Sequence, residues 1–178
     1  MRRPHDHTLS YFSSHRCRGH QGIVAYLTGQ RVGDVWSMDV RQVTARGLII
    51  EQSKTSTRVT MEITGELAAL LERIAKRKGE KCPTGRQKVY STRLIVDDDG
   101  LALGRAALRY HRFDKAREAA GIAKGEFQFR DLRAKAGTDK ADSAKDIREA
   151  QAQLGHSSIT TTEIYVRKKR GSKATPTR

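Results

Sequence analysis

Residues 153–167 read Gln153-Leu154-Gly155-His156-Ser157-Ser158-Ile159-Thr160-Thr161-Thr162-Glu163-Ile164-Tyr165-Val166-Arg167. His156 and Tyr165 in this stretch are nine residues apart. On one unbroken helix nine residues turn through about 900°, which leaves the two side chains on opposite faces. They meet only if the helix breaks between them. Gly155 is a helix-ending residue, and Ser157 and Ser158 can cap a new helix. The stretch therefore predicts His156 at the end of one helix and Tyr165 on the next, both facing a common site. Taken alone, it reads more plainly as a glycine-ended helix followed by a core tyrosine. The rest of the chain reverses that preference.

The 178 residues fit one domain of ordinary size. Hydrophobic residues make up 37% and aromatics 6%, so the core is lean. Lys and Arg number 35 against 20 Asp and Glu, a net charge of +15, and the sequence pI is about 10.3. Such an excess points to a polyanion, most often nucleic acid gripped through its phosphates. A structural RNA-binding protein would carry the same balance. Cys17 and Cys82 form no CxxC pair and read as reduced thiols of a cytosolic, cytoplasmic protein. His5, His7, Cys17 and His20 fit no common metal-ligand spacing. No apolar run approaches the roughly 18 residues of a membrane span, and the N-terminus has no signal core.

Along the chain, residues 1–18 lack periodicity and read as a tail. A helix starts near His20, with Ile23, Val24, Tyr26 and Leu27 as its apolar face, and Gly29 ends it. A second short helix follows from Gln30, on which Arg31 and Asp34 share a face as a surface ion pair. Val40 to Ile63 reads as strands: Gly47–Gln52 and Thr57–Ile63 flank a hairpin turn that carries Lys54 at its tip. Thr64 opens an amphipathic helix built on Leu67, Leu70, Leu71 and Ile74. Residues 80–88 read as a loop, Val89–Val96 as a strand, and Asp97–Gly100 as a turn without the further ligands of a calcium loop. Leu103–Ala120 is a basic helix closed by Gly121. Arg130 and Arg133 lie three apart on the next helix, and so line one face of it. Ser143–Leu154 and Ile159–Arg167 read as the last two helices, before a basic tail at 169–178. The fold class expected is α+β, mainly helical, with a small antiparallel sheet of about three strands.

The scattered pieces gain meaning together. Leu27-Thr28-Gly29-Gln30-Arg31-Val32-Gly33-Asp34 comes first. Lys54 follows between two strands, then Asp131-Leu132-Arg133, then Leu154 to Tyr165. This order resembles the tyrosine site-specific recombinases, the phage-integrase family, over roughly residues 20–168. The resemblance implies that residues 19–168 are the family's catalytic domain. It also implies strand cleavage of double-stranded DNA by transesterification, integrating or excising a mobile element. Tyr165 would attack a phosphodiester to form a 3′-phosphotyrosyl link, which keeps the bond energy so that rejoining needs no ATP. Arg31 and Arg133 would hold the non-bridging oxygens, a task for a planar, always-charged, two-pronged donor. His156 would donate a further hydrogen bond to the phosphate. Lys54 would protonate the leaving 5′-oxygen. Asp34 would orient the site without touching DNA. No metal and no other cofactor is needed in this scheme. The family's assembly on DNA implies self-association, as a tetramer in the full-length architecture, with tail residues beyond Tyr165 serving it; no membrane is involved.

Two departures from the family pattern stand out. The position that opens the family's His-x-x-Arg motif is Arg130, which can hydrogen-bond a phosphate but cannot exchange a proton near neutral pH. Family members also carry a helical DNA-binding domain before the catalytic one. Fewer than about 25 residues precede the first motif here, too few for a domain, so the expectation is a catalytic-domain piece or a truncated relic that binds specific sequence weakly. Three activities stay open: a strand-exchange recombinase, a type IB topoisomerase-like enzyme that relaxes supercoils, and a catalytically impaired DNA-binding remnant.

Overall fold

The computed structural model describes residues 20–79, 91–97 and 100–167. The tails expected at 1–18 and 169–178, the loop expected at 80–88, Tyr90, Cys17 and Cys82 lie outside these residues. Helix α1 spans His20–Thr28 and α2 spans Val32–Ser37. Gly29 ends α1 with a φ of 66°. A Cβ there would come within 2.9 Å of Leu154 Cδ2, so the glycine also lets a later helix approach.

A short 3₁₀ turn at Val40–Gln42 leads to three strands, β1 at Val43–Thr44, β2 at Gly47–Glu51 and β3 at Arg58–Met61. They pair antiparallel in the order β1-β2-β3, with Leu48 opposite Met61 and Ile50 opposite Val59. Leu48, Ile50 and Val59 are buried, and their alternation with Ile49, Thr60 and Arg58 fixes the register. The hairpin turn is closed by Gln52 N–H donating to Thr57 O at 2.9 Å and Ser56 N–H donating to Gln52 O at 2.8 Å.

Helix α3, Gly65–Gly79, packs against α1 and buries the expected Leu67, Leu70, Leu71 and Ile74. The strand expected over Val89–Val96 does not form within the described part. Residues 91–96 make only two isolated bridges, Asp39 to Arg93 and Val96 to Ala102. Leu94, Ile95 and Val96 are all buried. Three consecutive apolar residues enclosed on every side give the same composition as a strand without its alternation or its ladder. After them Asp97 N–H donates to Leu101 O and Gly100 N–H to Asp97 O, while residues 98 and 99 of the expected turn lie outside the described residues.

The expected basic helix is π-helical over Ala107–Phe113 and continues as α4, Asp114–Ala119. Helix α5 spans Phe129–Ala144, α6 Ile147–Leu154 and α7 Ile159–Arg167. The helix expected over Ser143–Leu154 thus begins later, at Ile147, and Ser143 and Ala144 belong to α5. Lys145 adopts a left-handed φ of 55° that ends α5, and Asp146 caps α6 by accepting from Arg148 N–H at 2.9 Å. Helix α5 packs against α1, α6 and α7. Phe113, Phe127 and Phe129 stack edge and face in the core, with Phe113 at 5.8 Å and 5.2 Å from the other two rings. Among the described residues no helix is long and apolar enough to cross a membrane.

Candidate functional site

The end of α6 is a Schellman reversal. Gly155 has φ 65°, its N–H donates to Ala152 O at 3.1 Å, and His156 N–H donates to Gln151 O at 3.1 Å. Gln151 Nε2 then holds the His156 carbonyl at 3.0 Å. The chain turns into α7, and the rings of His156 and Tyr165 come together with centroids 5.4 Å apart. Tyr165 is therefore partly buried beside a histidine, not a core tyrosine.

Tyr165 borders a cleft of about 530 Å³ whose walls include Arg31, Lys54, Arg105, Arg130 and Arg133. Five cations thus share one cleft with one phenol, and among the described residues no carboxylate lines it. Asp34, 3.9 Å behind Arg31, offsets part of the mutual repulsion, and solvent or a bound anion must offset the rest. The five cations come from four local devices. Arg31 stands in an extended conformation just before α2. Lys54 is exposed on the hairpin turn, while Arg130 and Arg133 are on the first turns of α5, Arg130 exposed and Arg133 buried. Arg105 lies at the start of the basic helix, its guanidinium over Gly33, where a Cβ would meet it at 3.3 Å.

Arg133 is fixed from three sides. Nη1 donates to Gly29 O at 2.7 Å, Nη2 donates to Leu154 O at 2.6 Å, and Nη2 also stands 3.0 Å from His156 Nε2. Burial first, then the Arg31 charge, lowers its pKa to about 10, while Tyr165 and Asp34 oppose the shift. The guanidinium stays charged at neutral pH, and its Nε is buried without a partner. His156 does not line the cleft directly; it reaches it through Arg133 and Tyr165. Burial, followed by the Arg133 and Arg31 charges, lowers its pKa to about 4, so the ring is neutral at pH 7. Its Nδ1 lies 3.0 Å from Thr162 Oγ1.

Asp34 is not half of a surface ion pair. Its carboxylate is buried, 3.9 Å from Arg31 Nη1, and its Oδ1 accepts from both Ser53 N–H at 2.9 Å and Ser53 Oγ at 2.8 Å. It therefore ties α2 to the residue preceding Lys54.

Three glutamines that sequence reasoning passed over complete the frame. Gln52 is fully buried: its Nε2 donates to Gln30 Oε1 at 2.8 Å and Leu154 O at 2.7 Å, and its Oε1 accepts from Arg31 Nη1 at 3.1 Å and Thr55 Oγ1 at 2.9 Å. Gln30 Nε2 reaches Gln153 O at 3.0 Å, and Gln153 Nε2 reaches Leu27 O at 2.9 Å. The hairpin, the α1–α2 link and the end of α6 are thereby locked to one another. Arg105 was visible in the sequence only as one of many basic residues on its helix. Its place in the cleft is tertiary information.

The cleft that sets Tyr165 among Arg31, Arg130 and Arg133, with His156 behind it, lies within a stretch that a family model matches. Residues 20–171 fit the phage integrase family. The chain belongs to that family. Among curated proteins no sequence matches. Solved structures share the fold. A lambda integrase tetramer bound to a Holliday junction superposes with a TM-score of 0.75 at 22% identity, over 96% of this chain and 49% of that one. The lambda integrase catalytic core gives 0.68 at 22% identity, over 85% and 88%. The XerA recombinase gives 0.74 at 20%, over 92% and 58%. This family member thus spans about half the length of the lambda integrase chain it matches.

Proposed function

We propose that this family member cleaves and rejoins double-stranded DNA in site-specific recombination, integrating or excising a mobile element through a 3′-phosphotyrosyl intermediate. One observation carries the reading: the Tyr165 phenol shares a cleft with Arg31, Lys54, Arg130 and Arg133. A phosphodiester seated there would meet a nucleophile and a ring of donors in one place.

In this reading Tyr165 Oη bonds to phosphorus as the bond from phosphorus to the 5′-oxygen breaks. Arg31 and Arg133 hold the non-bridging oxygens and stabilise charge as it builds on the pentacoordinate centre, typically the largest catalytic contribution. Both are already braced, by Gln52 and by two backbone carbonyls, so little ordering remains to be done on binding. Lys54 gives its proton to the departing 5′-oxygen. The phenol proton leaves to water in the cleft, since Arg130 has no acceptor site. His156 donates from Nε2 to the phosphate once Arg133 engages the same anion. Asp34 positions the Lys54 turn through Ser53. Residues 19–168 act as the catalytic domain, and self-association on DNA accompanies the reaction.

Arg130 in the place of the family histidine favours a second reading, a DNA-binding remnant with impaired chemistry. One experiment separates the two. A pool of duplexes, each nicked so that the released fragment diffuses away, is incubated with the wild-type chain and with Tyr165→Phe. A covalent protein–DNA species that forms only with the wild type supports the recombinase. DNA binding by both without any covalent species supports the remnant.

A further inference from the structure

His156 is held at both ring nitrogens: Arg133 Nη2 lies 3.0 Å from Nε2, and Thr162 Oγ1 lies 3.0 Å from Nδ1. A guanidinium has donors and no acceptor. The first contact therefore requires a lone pair on Nε2, which puts the ring proton on Nδ1, donated to Thr162 Oγ1. Burial and the flanking Arg133 and Arg31 keep this imidazole neutral at pH 7. In the empty site His156 is thus an acceptor toward the cleft.

A phosphate oxygen only accepts. For His156 to bond a phosphate, Nε2 must carry the proton, and Nδ1 of the neutral ring then needs a donor. Among side chains a hydroxyl can accept in one state and donate in the other without moving. Thr162 is fully buried and sits on α7 three residues before Tyr165, on the same face of that helix. We propose that Thr162 is a positioning residue of the site: its hydroxyl accepts from His156 Nδ1 while the cleft is empty and donates to it when phosphate is bound. The ring thereby changes from acceptor to donor at Nε2 without turning. The proton lost from Nδ1 goes to solvent and the one gained at Nε2 comes from solvent, so the neutral ring balances. Because Thr162 shares α7 with Tyr165, the same contact fixes the imidazole relative to the phenol. This inference rests on the reading of His156 as a phosphate ligand.

The test compares the full chain with Thr162→Val, which keeps the shape and removes the hydroxyl, and Thr162→Ser, which keeps the hydroxyl. Nitrogen-15 NMR of the DNA-free protein reports which nitrogen of His156 is protonated. The wild type and Thr162→Ser should show the proton on Nδ1, and Thr162→Val should lose that single form. On the nicked duplex pool at saturating DNA, Thr162→Val should slow formation of the covalent species by about tenfold or more, and Thr162→Ser by no more than about threefold. In a His156→Ala background Thr162→Val should change the rate by less than about twofold, because its effect runs through the ring. A wild-type rate in Thr162→Val, or an equal loss in the His156→Ala background, overturns the proposal. A wild type that forms no covalent species overturns the recombinase reading instead. In that event a ring protonated on Nε2, or one unaffected by Thr162→Val, still overturns the role given to Thr162.

Discussion

His156 and Tyr165 lie nine residues apart in sequence, yet their rings stand 5.4 Å apart and tilted by 36° across the reversal at Gly155. The contact depends on a backbone conformation that only glycine adopts at no steric cost. A Cβ at Gly155 would also press to 2.7 Å from Gln52 Nε2 and 2.9 Å from Val59 Cγ2. Gly155→Ala should therefore cost about 2 kcal/mol or more of stability, from left-handed strain plus the clash. Urea denaturation measures it. A loss below about 0.5 kcal/mol would show that the reversal tolerates a side chain.

Arg105 is a cleft cation outside the family motifs. If it neutralises a DNA phosphate, Arg105→Ala should weaken binding across all sequences alike and lower the slope of log affinity against log salt by about one. Titrations at several salt concentrations read the slope. An unchanged slope would place Arg105 off the DNA path.

Acid should weaken the fold before most carboxylates titrate. His20 and His156 both have folded-state pKa values lowered from 6.5 to about 4, His20 by burial and then by Arg77, Arg73 and Arg112. A histidine with a lowered folded value binds more protons when unfolded. Its stabilisation is whole above about pH 6.5 and is lost as pH falls toward 4. After discount for solvent screening the loss is on the order of 1 kcal/mol per histidine. The urea midpoint should fall between pH 7 and pH 5, and His20→Gln with His156→Gln should flatten that fall. Equal midpoints at pH 5 and pH 7 in the wild type would contradict the assignment.

Arg130 is exposed at the mouth of α5, so replacing it carries little structural cost. Arg130→His supplies a group that can take the tyrosine proton near neutral pH. It should raise the rate of covalent-species formation by roughly 10²-fold, the lower end of what general acid–base catalysis gives, with stability unchanged. A slower variant would mean that Arg130 serves better as a charged phosphate donor.

The elements legible in the sequence are those whose signals are local. The 3.6-residue face of α3, the glycine after α1, the alternation in β2 and β3 and the breaker before α7 each name their structure within a few residues. The cleft membership of Arg31, Lys54, Arg130 and Arg133 followed from motif order, and the geometry brings these residues together. What stayed hidden is set by packing. Lys145 in a left-handed conformation carries no residue-type signal, so the expected start of α6 at Ser143 falls inside α5. Leu94 to Val96 looked like a strand because burial on all sides and burial in a sheet demand the same residues. Asp34 looked exposed because an i, i+3 pair with Arg31 suggests nothing about the Ser53 backbone that encloses it. Gln30, Gln52 and Gln153 are unremarkable polar letters until the hairpin meets the end of α6.

The central claim is that Tyr165 is the residue that takes up DNA. The most direct measurement traps the covalent species on the nicked duplex pool, digests it with nuclease and protease, and locates the residual nucleotide by mass spectrometry. The account predicts a 3′-linked phosphonucleotide on Tyr165 and a free 5′-hydroxyl on the released fragment. A nucleotide on any other residue, a 5′-linkage, or no covalent species from any duplex would contradict it.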